Sequence, residues 1–228
     1  MSFCALSDAK GMIIRMNLNG YLNALYESLL MIILSGIFSV VLGFLLAIVL
    51  IYTKEKGLAP RKNLYNALDF VINVFRSFPF IILMFLLFPL SRVIVGTSIG
   101  TVAAIVPLTI AATPFAARII EGSLDTVDKG IIEAARSFGA TNRQIIFRVM
   151  LVEALPNLVQ GITNIFINIV GYSAMAGVIG GGGLGAVAIN YGYYRWEDTI
   201  MMIVVVMIFL LVQLFQSLGN KIFQKLTR

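Results

Sequence analysis

The chain alternates long stretches of apolar residues with short polar segments. Stretches without a charged residue cover 28–53, 77–91, 93–117, 154–194 and 199–220. A helix needs about 20 apolar residues to cross a bilayer, so this pattern predicts five membrane spans. Their predicted limits are 21–53, 67–91, 97–117, 156–179 and 199–219. The predicted fold class is an all-α integral membrane protein with five transmembrane helices, in which residues 1–228 form a single domain.

Two of these spans do not coincide with a single charge-free stretch of suitable length. The 77–91 stretch is too short to cross alone, so the preceding residues 64–75 are expected to contribute, which places Arg76 inside or at the edge of the membrane. The fourth stretch is too long for one helix. Four consecutive glycines at 180–183 divide it, because glycine disfavours helix. Residues 184–194 are then expected to form a tyrosine-rich segment at the membrane interface.

Composition supports the membrane assignment and narrows the chemistry. Hydrophobic residues make up 59% of the chain and charged residues 12%, which is too little polar surface to enclose a soluble core. The chain has no histidine and a single cysteine, Cys4, so disulfide frameworks, zinc clusters and histidine acid/base chemistry are not expected. We therefore predict no enzymatic activity, no metal and no cofactor on this chain.

The basic residues indicate an orientation. Net charge is +6, yet the lysines and arginines are spread over short loops, so nucleic-acid binding is not expected. With Arg76 uncounted, twelve basic residues lie in the segments on one side of the predicted spans and four on the other. Basic loops favour the cytoplasm. We therefore predict an outside N-terminus, a cytoplasmic C-terminus and a long cytoplasmic loop at 118–153.

This loop has the pattern of two short helices joined at a tight corner. Asp125 and Asp128 suit the first turn of a helix that runs through Phe138. Gly139 suits the position after a helix, where the backbone takes a positive φ. The loop thus combines a start signal and a stop signal for its first helix.

A second loop helix is predicted to begin at Thr141, where Gln144 completes a capping box. The first helix carries an apolar face, formed by Ile131, Ile132, Ala135 and Phe138. Such a face packs either against its own protein at the membrane surface or into a groove on a soluble partner. The residues alone leave both interpretations open.

The stretch Glu133-Ala134-Ala135, followed after three residues by Gly139, resembles the EAA loop of bacterial ABC-importer membrane subunits. In that family the loop forms a coupling helix held by the ATPase subunit. The resemblance implies that these four residues form the ATPase-coupling site. The chain departs from the family pattern at Val152, where proline is usual, which leaves open how the second loop helix bends.

Further blocks resemble the methionine-importer permease family in order and spacing. They are residues 76–83, 92–100, 105–109, 114–118 and 171–175. The resemblance implies a homodimer in the bacterial inner membrane, paired with two cytoplasmic ATPase subunits and fed by an extracytoplasmic methionine-binding lipoprotein. It implies methionine as cargo. The chain has no Gly-x-x-x-x-Gly-Lys-[Ser/Thr] phosphate loop, so ATP and Mg²⁺ are expected on the partner ATPase.

One face of the fourth span carries polar and polarizable side chains. Asn164, Asn168, Tyr172 and Met175 recur at helical spacing. Amides inside a membrane need polar partners or water, so the face lines a translocation path or bonds to a neighbouring helix. We hypothesise that Tyr172 and Met175 from the two halves of a dimer close this path as a gate.

Three other features leave alternatives open. Arg76 either contacts the cargo carboxylate, or reaches the membrane interface, or pairs with a carboxylate such as Asp69. Glu27 is interpreted first as a charge near a helix N-terminus that complements the helix dipole. Gly177 and Gly181 permit close approach of helices, either at the dimer axis or within one chain.

Two other functions remain as alternatives. An ABC permease for a different amino acid would share the same loop, and cargo choice often lies with the binding protein. An ion-gradient-driven secondary transporter usually carries internal repeats, and the sequence has no such repeat. Energy coupling distinguishes the second alternative, because only the ABC importer stops when ATP is removed while the membrane potential is held.

Overall fold

The structure is a computed structural model that describes residues 17–55 and 57–227. Cys4, Lys56 and most of the predicted outer N-terminal segment lie outside the described residues. Ten α-helices are found in the described ranges: α1 (Leu18–Thr53), α2 (Lys62–Ser77), α3 (Phe80–Val95), α4 (Thr101–Leu124), α5 (Lys129–Ser137), α6 (Asn142–Gln144), α7 (Leu151–Glu153), α8 (Leu155–Ala176), α9 (Gly183–Val187) and α10 (Asp198–Leu226). Three π-helical segments, Ile145–Met150, Gly177–Gly181 and Ala188–Tyr193, connect some of them.

The prediction of an all-α membrane protein is confirmed. Within the described ranges, α1, α4, α8 with its π-helical end and α10 are each long and apolar enough to cross a membrane. The consecutive helices α2 and α3 pass the same test together as a bent pair, which brings the number of spans to five if the pair is counted as one. Two helices extend past the predicted limits of their spans, since α4 continues to Leu124 and α10 to Leu226. The charges that stopped the α4 prediction at residue 117 are accommodated because Arg118 and Glu121 find partners.

The second span is not the continuous helix predicted for 67–91. Its two halves, α2 and α3, are bent by 108° at Phe78 and Pro79. Phe78 is extended (φ −80°, ψ 134°), as a residue before proline prefers. Pro79 has no N–H to continue a helix, but its carbonyl accepts the N–H of Ile82 at 3.0 Å and so starts α3. Arg76 consequently lies at the end of α2, beside the break.

The centre of the bundle is the pair α1 and α4, which has the most extensive contact of any two helices. Gly43 makes this approach possible, because a Cβ added there would lie 2.6 Å from the Cβ of Ala116. Gly219 on α10 lies similarly close to Thr163 on α8. The outward faces are apolar, with Phe209 and Leu210 more than half exposed, as expected for lipid contact.

The glycine stretch ends α8 as predicted. Gly180, Gly182 and Gly183 all have positive φ, at 99°, 79° and 73°, a conformation that glycine adopts at little cost. Gly177 and Gly181 are buried, and a Cβ at Gly177 would lie 2.5 Å from the backbone nitrogen of Ala186. The close approach at these glycines is therefore made within one chain, and the structure does not assign them to a dimer axis.

The segment after the glycines is more than an interfacial strip. It is helical, and Leu184 and Val187 are buried in the core shared by α1, α4, α8 and α10, whereas Tyr193 and Tyr194 are exposed. Glu27 anchors its start, since the carboxylate accepts the N–H of Gly183 at 2.6 Å. The prediction for Glu27 is wrong: α1 begins nine residues earlier, at Leu18, so the carboxylate serves a different helix from its own.

The loop helices follow most of the predicted signals. Asp128 is the N-cap of α5, and its side chain accepts the N–H of Gly130 at 2.6 Å. Asp125 is not in the first turn of α5; it follows the end of α4 and pairs with Lys54. Gly139 has φ 80°, as predicted. This positive φ turns the chain at the end of α5.

The second loop helix begins at the predicted capping box of Thr141 and Gln144. Beyond it the chain stays helical through a π-helical segment to Glu153, so no bend occurs at Val152. Pro156 lies in the first turn of α8, where a missing N–H costs no hydrogen bond. We call the end of the bundle that carries α5 to α7 the loop end, and the opposite end, which carries the glycine stretch, the far end.

Candidate functional site

A cavity of about 250 Å³ lies beside the break between α2 and α3. The last turn of α2 and the first turn of α3 form one side, and α4 and α8 form the other. The lining is aromatic and aliphatic apart from three polar side chains: Arg76, Asn168 and Tyr172. The structure thus brings together three of the residues singled out from the sequence, on helices that are far apart along the chain.

An aromatic pair closes one wall of this cavity. Phe80, at the start of α3, stacks on Tyr172 with ring centroids 4.4 Å apart and planes within 4°. Phe80 is buried against the far-end core formed with Met31, Met84 and Leu108. Because Phe80 is held by this core, the ring of Tyr172 is held as well, and its position depends on the bend of the second span.

The polar face of α8 is only partly inside the cavity. Asn168 and Tyr172 line it, whereas Asn164 is exposed and lies nearer the loop end, and Met175 is 48% exposed nearer the far end. In the described part of the chain, neither amide makes a side-chain hydrogen bond to another helix. This face of α8 is therefore not covered by the other helices of the same chain, and water or a second copy of the chain can reach it.

Arg76 does not pair with Asp69, contrary to one of the predicted alternatives. The carboxylate of Asp69 pairs with Arg118 on α4 and accepts a hydrogen bond from Asn73 at 3.0 Å. Arg76 instead lies at the cavity with an exposed side chain. Its cation is thus available to the cavity.

A network of charged residues near the loop end was missed by the sequence reasoning. Arg118 also donates to Glu121 at 2.7 Å, and the hydroxyl of Tyr65 donates to the same carboxylate at 3.4 Å. Glu121 is only 5% exposed. The available signal was the i, i+3 spacing of Arg118 and Glu121, which is typical of ion pairs on a helix.

Lys54 extends this charged region to the end of α1. It pairs with Asp125, just after α4. Burial lowers the pKa of Lys54, but the hydrogen bond and the negative charge of Asp125 outweigh this effect and raise the pKa above its ordinary value. Lys54 therefore stays protonated at neutral pH. Among the described residues, no group of three potential ligands could hold a metal ion.

The four residues of the EAA resemblance lie together on the surface of the loop end. Glu133 and Ala134 are exposed on α5, and Gly139 is exposed at its corner. Ala135 is half-buried, and its carbonyl accepts the N–H of Ala140 at 3.1 Å. Glu133 also borders a second cavity, of about 560 Å³, between α5 and the segment that follows α1.

The predicted apolar face of α5 is divided by the structure. Ile132 and Ala135 pack against the loop-end core. Ile131 is 41% exposed and Phe138 is 91% exposed. One side of this face therefore packs on its own protein, and the other side is exposed.

Comparison with known proteins identifies the family. The family described as "Binding-protein-dependent transport system inner membrane component" matches residues 40–228. The chain belongs to this family. It is a multi-pass inner-membrane component of a transport system rather than a catalytic subunit. The EAA resemblance, quoted above from Glu133 to Gly139, lies inside the matched region.

Similar proteins within the family carry names for methionine transport. The chain is 48% identical over 204 residues to a probable D-methionine transport system permease protein from Vibrio cholerae, covering 90% of this chain and 91% of that protein. The D-methionine transport system permease protein of Escherichia coli is 47% identical over 152 residues, covering 67% of this chain and 70% of that protein. The two matches thus cover between two thirds and nine tenths of this chain.

Solved structures agree with the fold. An inward-facing conformation of the MetNI methionine ABC transporter, in its native crystal form, superposes with a TM-score of 0.90 at 44% identity, covering 92% of this chain and 97% of that chain. An amino acid ABC transporter crystallised with histidines reaches a TM-score of 0.74 at 23% identity. At that identity the second likeness concerns the fold alone.

Proposed function

We propose that this chain is the membrane-spanning permease subunit of an ATP-driven importer for methionine. It works as a homodimer with two cytoplasmic ATPase subunits and receives its cargo from an extracytoplasmic methionine-binding lipoprotein. The extent of the likeness to methionine permeases, at 48% identity over 90% of the chain, supports this assignment. The observation that carries it is the cavity at the helix break, whose lining suits an amino acid with an apolar side chain.

Arg76 is the cation for the cargo carboxylate in this proposal. It borders a cavity whose other walls include Phe80, Leu83 and Tyr172. An arginine binds a carboxylate with two parallel hydrogen bonds, and a methionine thioether packs well against aromatic rings. The amide of Asn168 supplies a further polar contact for the cargo.

Tyr172 and Met175 form the gate in this proposal. Both are large, neither is fully buried, and they lie about one turn apart on α8. In a dimer, the two copies of this face close the path between the subunits. Asn164 and Asn168 continue the path toward the loop end and stay hydrated there.

The ATPase subunit binds at the loop end of the permease in this proposal. ATP and Mg²⁺ bind to that partner subunit. The exposed part of α5, with Glu133, Ala134 and the 91% exposed Phe138, is the contact surface. Ala135 and Ile132 attach the same helix to the core of the permease. A push on α5 is thereby transmitted to the membrane helices.

Reconstituted vesicles test the function. The complex of permease, ATPase and binding lipoprotein should take up methionine only when ATP is supplied, at a fixed membrane potential. Uptake that follows an ion gradient without ATP would identify a secondary transporter. Uptake of a different amino acid, with methionine ignored, would retain the ABC permease and reject the cargo.

Substitution of Met175 tests the gate. Met175→Ala should raise either substrate leak or ATP hydrolysis without cargo, while the complex still assembles, because a smaller side chain leaves the path open. Met202→Ala on α10 is the matched control, since Met202 is also an exposed methionine. Unchanged leak, transport and hydrolysis in Met175→Ala would remove Met175 from the gate.

A further inference from the structure

The helix α2 is attached to the bundle by one small apolar cluster and by several polar contacts. Ile72 is its one buried residue, and together with the partly buried Tyr65 and Leu68 it packs against Leu50 and Ala117. The opposite side of α2 is apolar and exposed, with Phe70 at 69%. Few apolar contacts therefore fix the position of α2 against its neighbours.

The polar contacts connect α2 to the last turns of α4. Asp69 pairs with Arg118, and Tyr65 bonds to Glu121. Arg118 also reaches Asn73, at 3.5 Å. The network is largely shielded, since the side chain of Arg118 is 18% exposed and that of Glu121 is 6% exposed. Hydrogen bonds between charged groups in such places are stronger than at a wet surface.

The ends of these helices reach both functional regions. At its C-terminal end, α2 contributes Phe75 and Arg76 to the cavity, and the 108° break at Pro79 separates it from α3. The last turn of α4 leads to α5 through the short segment between Leu124 and Lys129. A rigid α2 that pivots at the break would widen or narrow the cavity, and α4 would carry the movement of α5 to it.

We propose that Arg118, Asp69 and Glu121 are positioning residues that hold α2 against α4 and thereby set the width of the substrate cavity. This inference rests on the proposed function of the cavity. The three residues do not contact the cargo; they act through the placement of Arg76 and Phe75. Without the network, α2 should move away from α4, and the cavity should be wider in the periods when the ATPase is not hydrolysing ATP.

Cysteine labelling in the complete complex tests this. The reporter is Ala111→Cys, a small change at the cavity wall on α4, in a chain whose single cysteine, Cys4, is replaced by serine. A membrane-impermeant maleimide is applied in the absence of ATP. Asp69→Asn should raise the labelling rate about tenfold, the effect expected from losing a hydrogen bond between charged groups. Asp69→Glu, which keeps the charge, should restore most of the protection.

Controls separate the network from general loosening. Lys62→Gln removes a charge from the same helix without touching the network and should leave the labelling rate unchanged. Tyr65→Phe deletes one hydroxyl and should raise the rate by a smaller factor; it also serves if Asp69→Asn fails to fold. Equal rates in the parent and in every network variant that folds would overturn the proposal.

The experiment also distinguishes this inference from the proposed function. Co-purification of the ATPase and ATP-dependent uptake by the parent complex report on the proposed function alone. Should these fail, the function is wrong whatever the labelling shows. Should they succeed while labelling does not respond to Asp69→Asn or Tyr65→Phe, the positioning role is wrong and the function stands.

Discussion

Gly185 lies where the backbone of another helix leaves no space for a side chain. A Cβ added there would lie 2.7 Å from the carbonyl carbon of Ala174 and closer still to its oxygen. The contact joins the segment after the glycine stretch to α8 at Ala174, the residue before Met175. Backbone atoms cannot move aside as a flexible side chain can, so glycine is required by packing and not by its φ angle.

Gly185→Ala should destabilise the protein by about 1–3 kcal/mol, the usual cost of overpacking. Thermal unfolding in detergent should show a lower midpoint. Gly122→Ala is the control, because nothing lies within 4 Å of a Cβ added at Gly122. Equal midpoints for the two variants would contradict the packing argument.

Arg76 should determine affinity for the cargo carboxylate. Arg76→Gln should weaken methionine binding to the solubilised complex without its binding lipoprotein by about tenfold or more, the effect of one hydrogen bond to a charged group. Equilibrium binding of labelled methionine measures this. Methioninol, in which an alcohol replaces the carboxylate, should bind both forms equally. A similar loss for both ligands would indicate that Arg76 acts on the cavity as a whole.

The directions of the helices at their ends determine the shape of the cavity at the break and the position of α5 at the loop end. The break at Pro79 makes a cavity because α2 and α3 cannot continue in one line. The corner at Gly139 presents α5 because its φ of 80° turns the chain immediately after the helix. The break at Pro79 and the corner at Gly139 each involve only a few residues, yet each fixes the direction of a whole helix. Substitution of one residue at either place should therefore move many side chains.

Gly139→Val should disrupt this corner, because the left-handed conformation costs a residue with a Cβ about 1–2 kcal/mol, and branched side chains tolerate it least. The ATPase should then co-purify poorly while the permease still inserts in the membrane. Gly139→Asn is the matched variant, since asparagine tolerates positive φ, and it should retain the ATPase. Loss of the ATPase in both variants would point to a direct contact with the glycine instead.

The assembled bundle presents three kinds of surface. An apolar belt covers the outward helices, the open face of α8 carries Asn164, Asn168, Tyr172 and Met175, and the loop end carries the charged network and α5. The belt requires a membrane, because exposed side chains such as Phe209 and Leu210 would be unfavourable in water.

The basic residues predict that the loop end is cytoplasmic. A cysteine placed at Arg136 should therefore react with an impermeant reagent in inside-out vesicles and be protected in intact cells. A cysteine at Thr199, at the start of α10 and at the other end of the bundle, should show the reverse. Reaction of Arg136→Cys from outside would separate the permease from any cytoplasmic ATPase and refute the proposed coupling.

Local sequence patterns by themselves determine the membrane helices of this protein and several of the helix ends. Apolar length predicted the membrane helices, since a stretch of about 20 apolar residues with few charges is long enough to cross a bilayer. The cap at Thr141, the corner at Gly139 and the end of α8 at the glycines are set by neighbours in sequence, and the structure confirms them. Asp128, predicted for the first turn of α5, is its N-cap one position earlier.

Contacts between distant parts of the chain decided the rest. The pairing of Asp69 with Arg118 and of Glu27 with the backbone of Gly183 joins residues 49 and 156 positions apart, which no periodicity reports. The cavity likewise depends on the angle between α2 and α3 and on how α8 packs beside them. The partner of a charged side chain is decided by which helices pack together, and the sequence pattern does not show this packing. The positions of the charged network and of Arg76 therefore became known only from the tertiary structure.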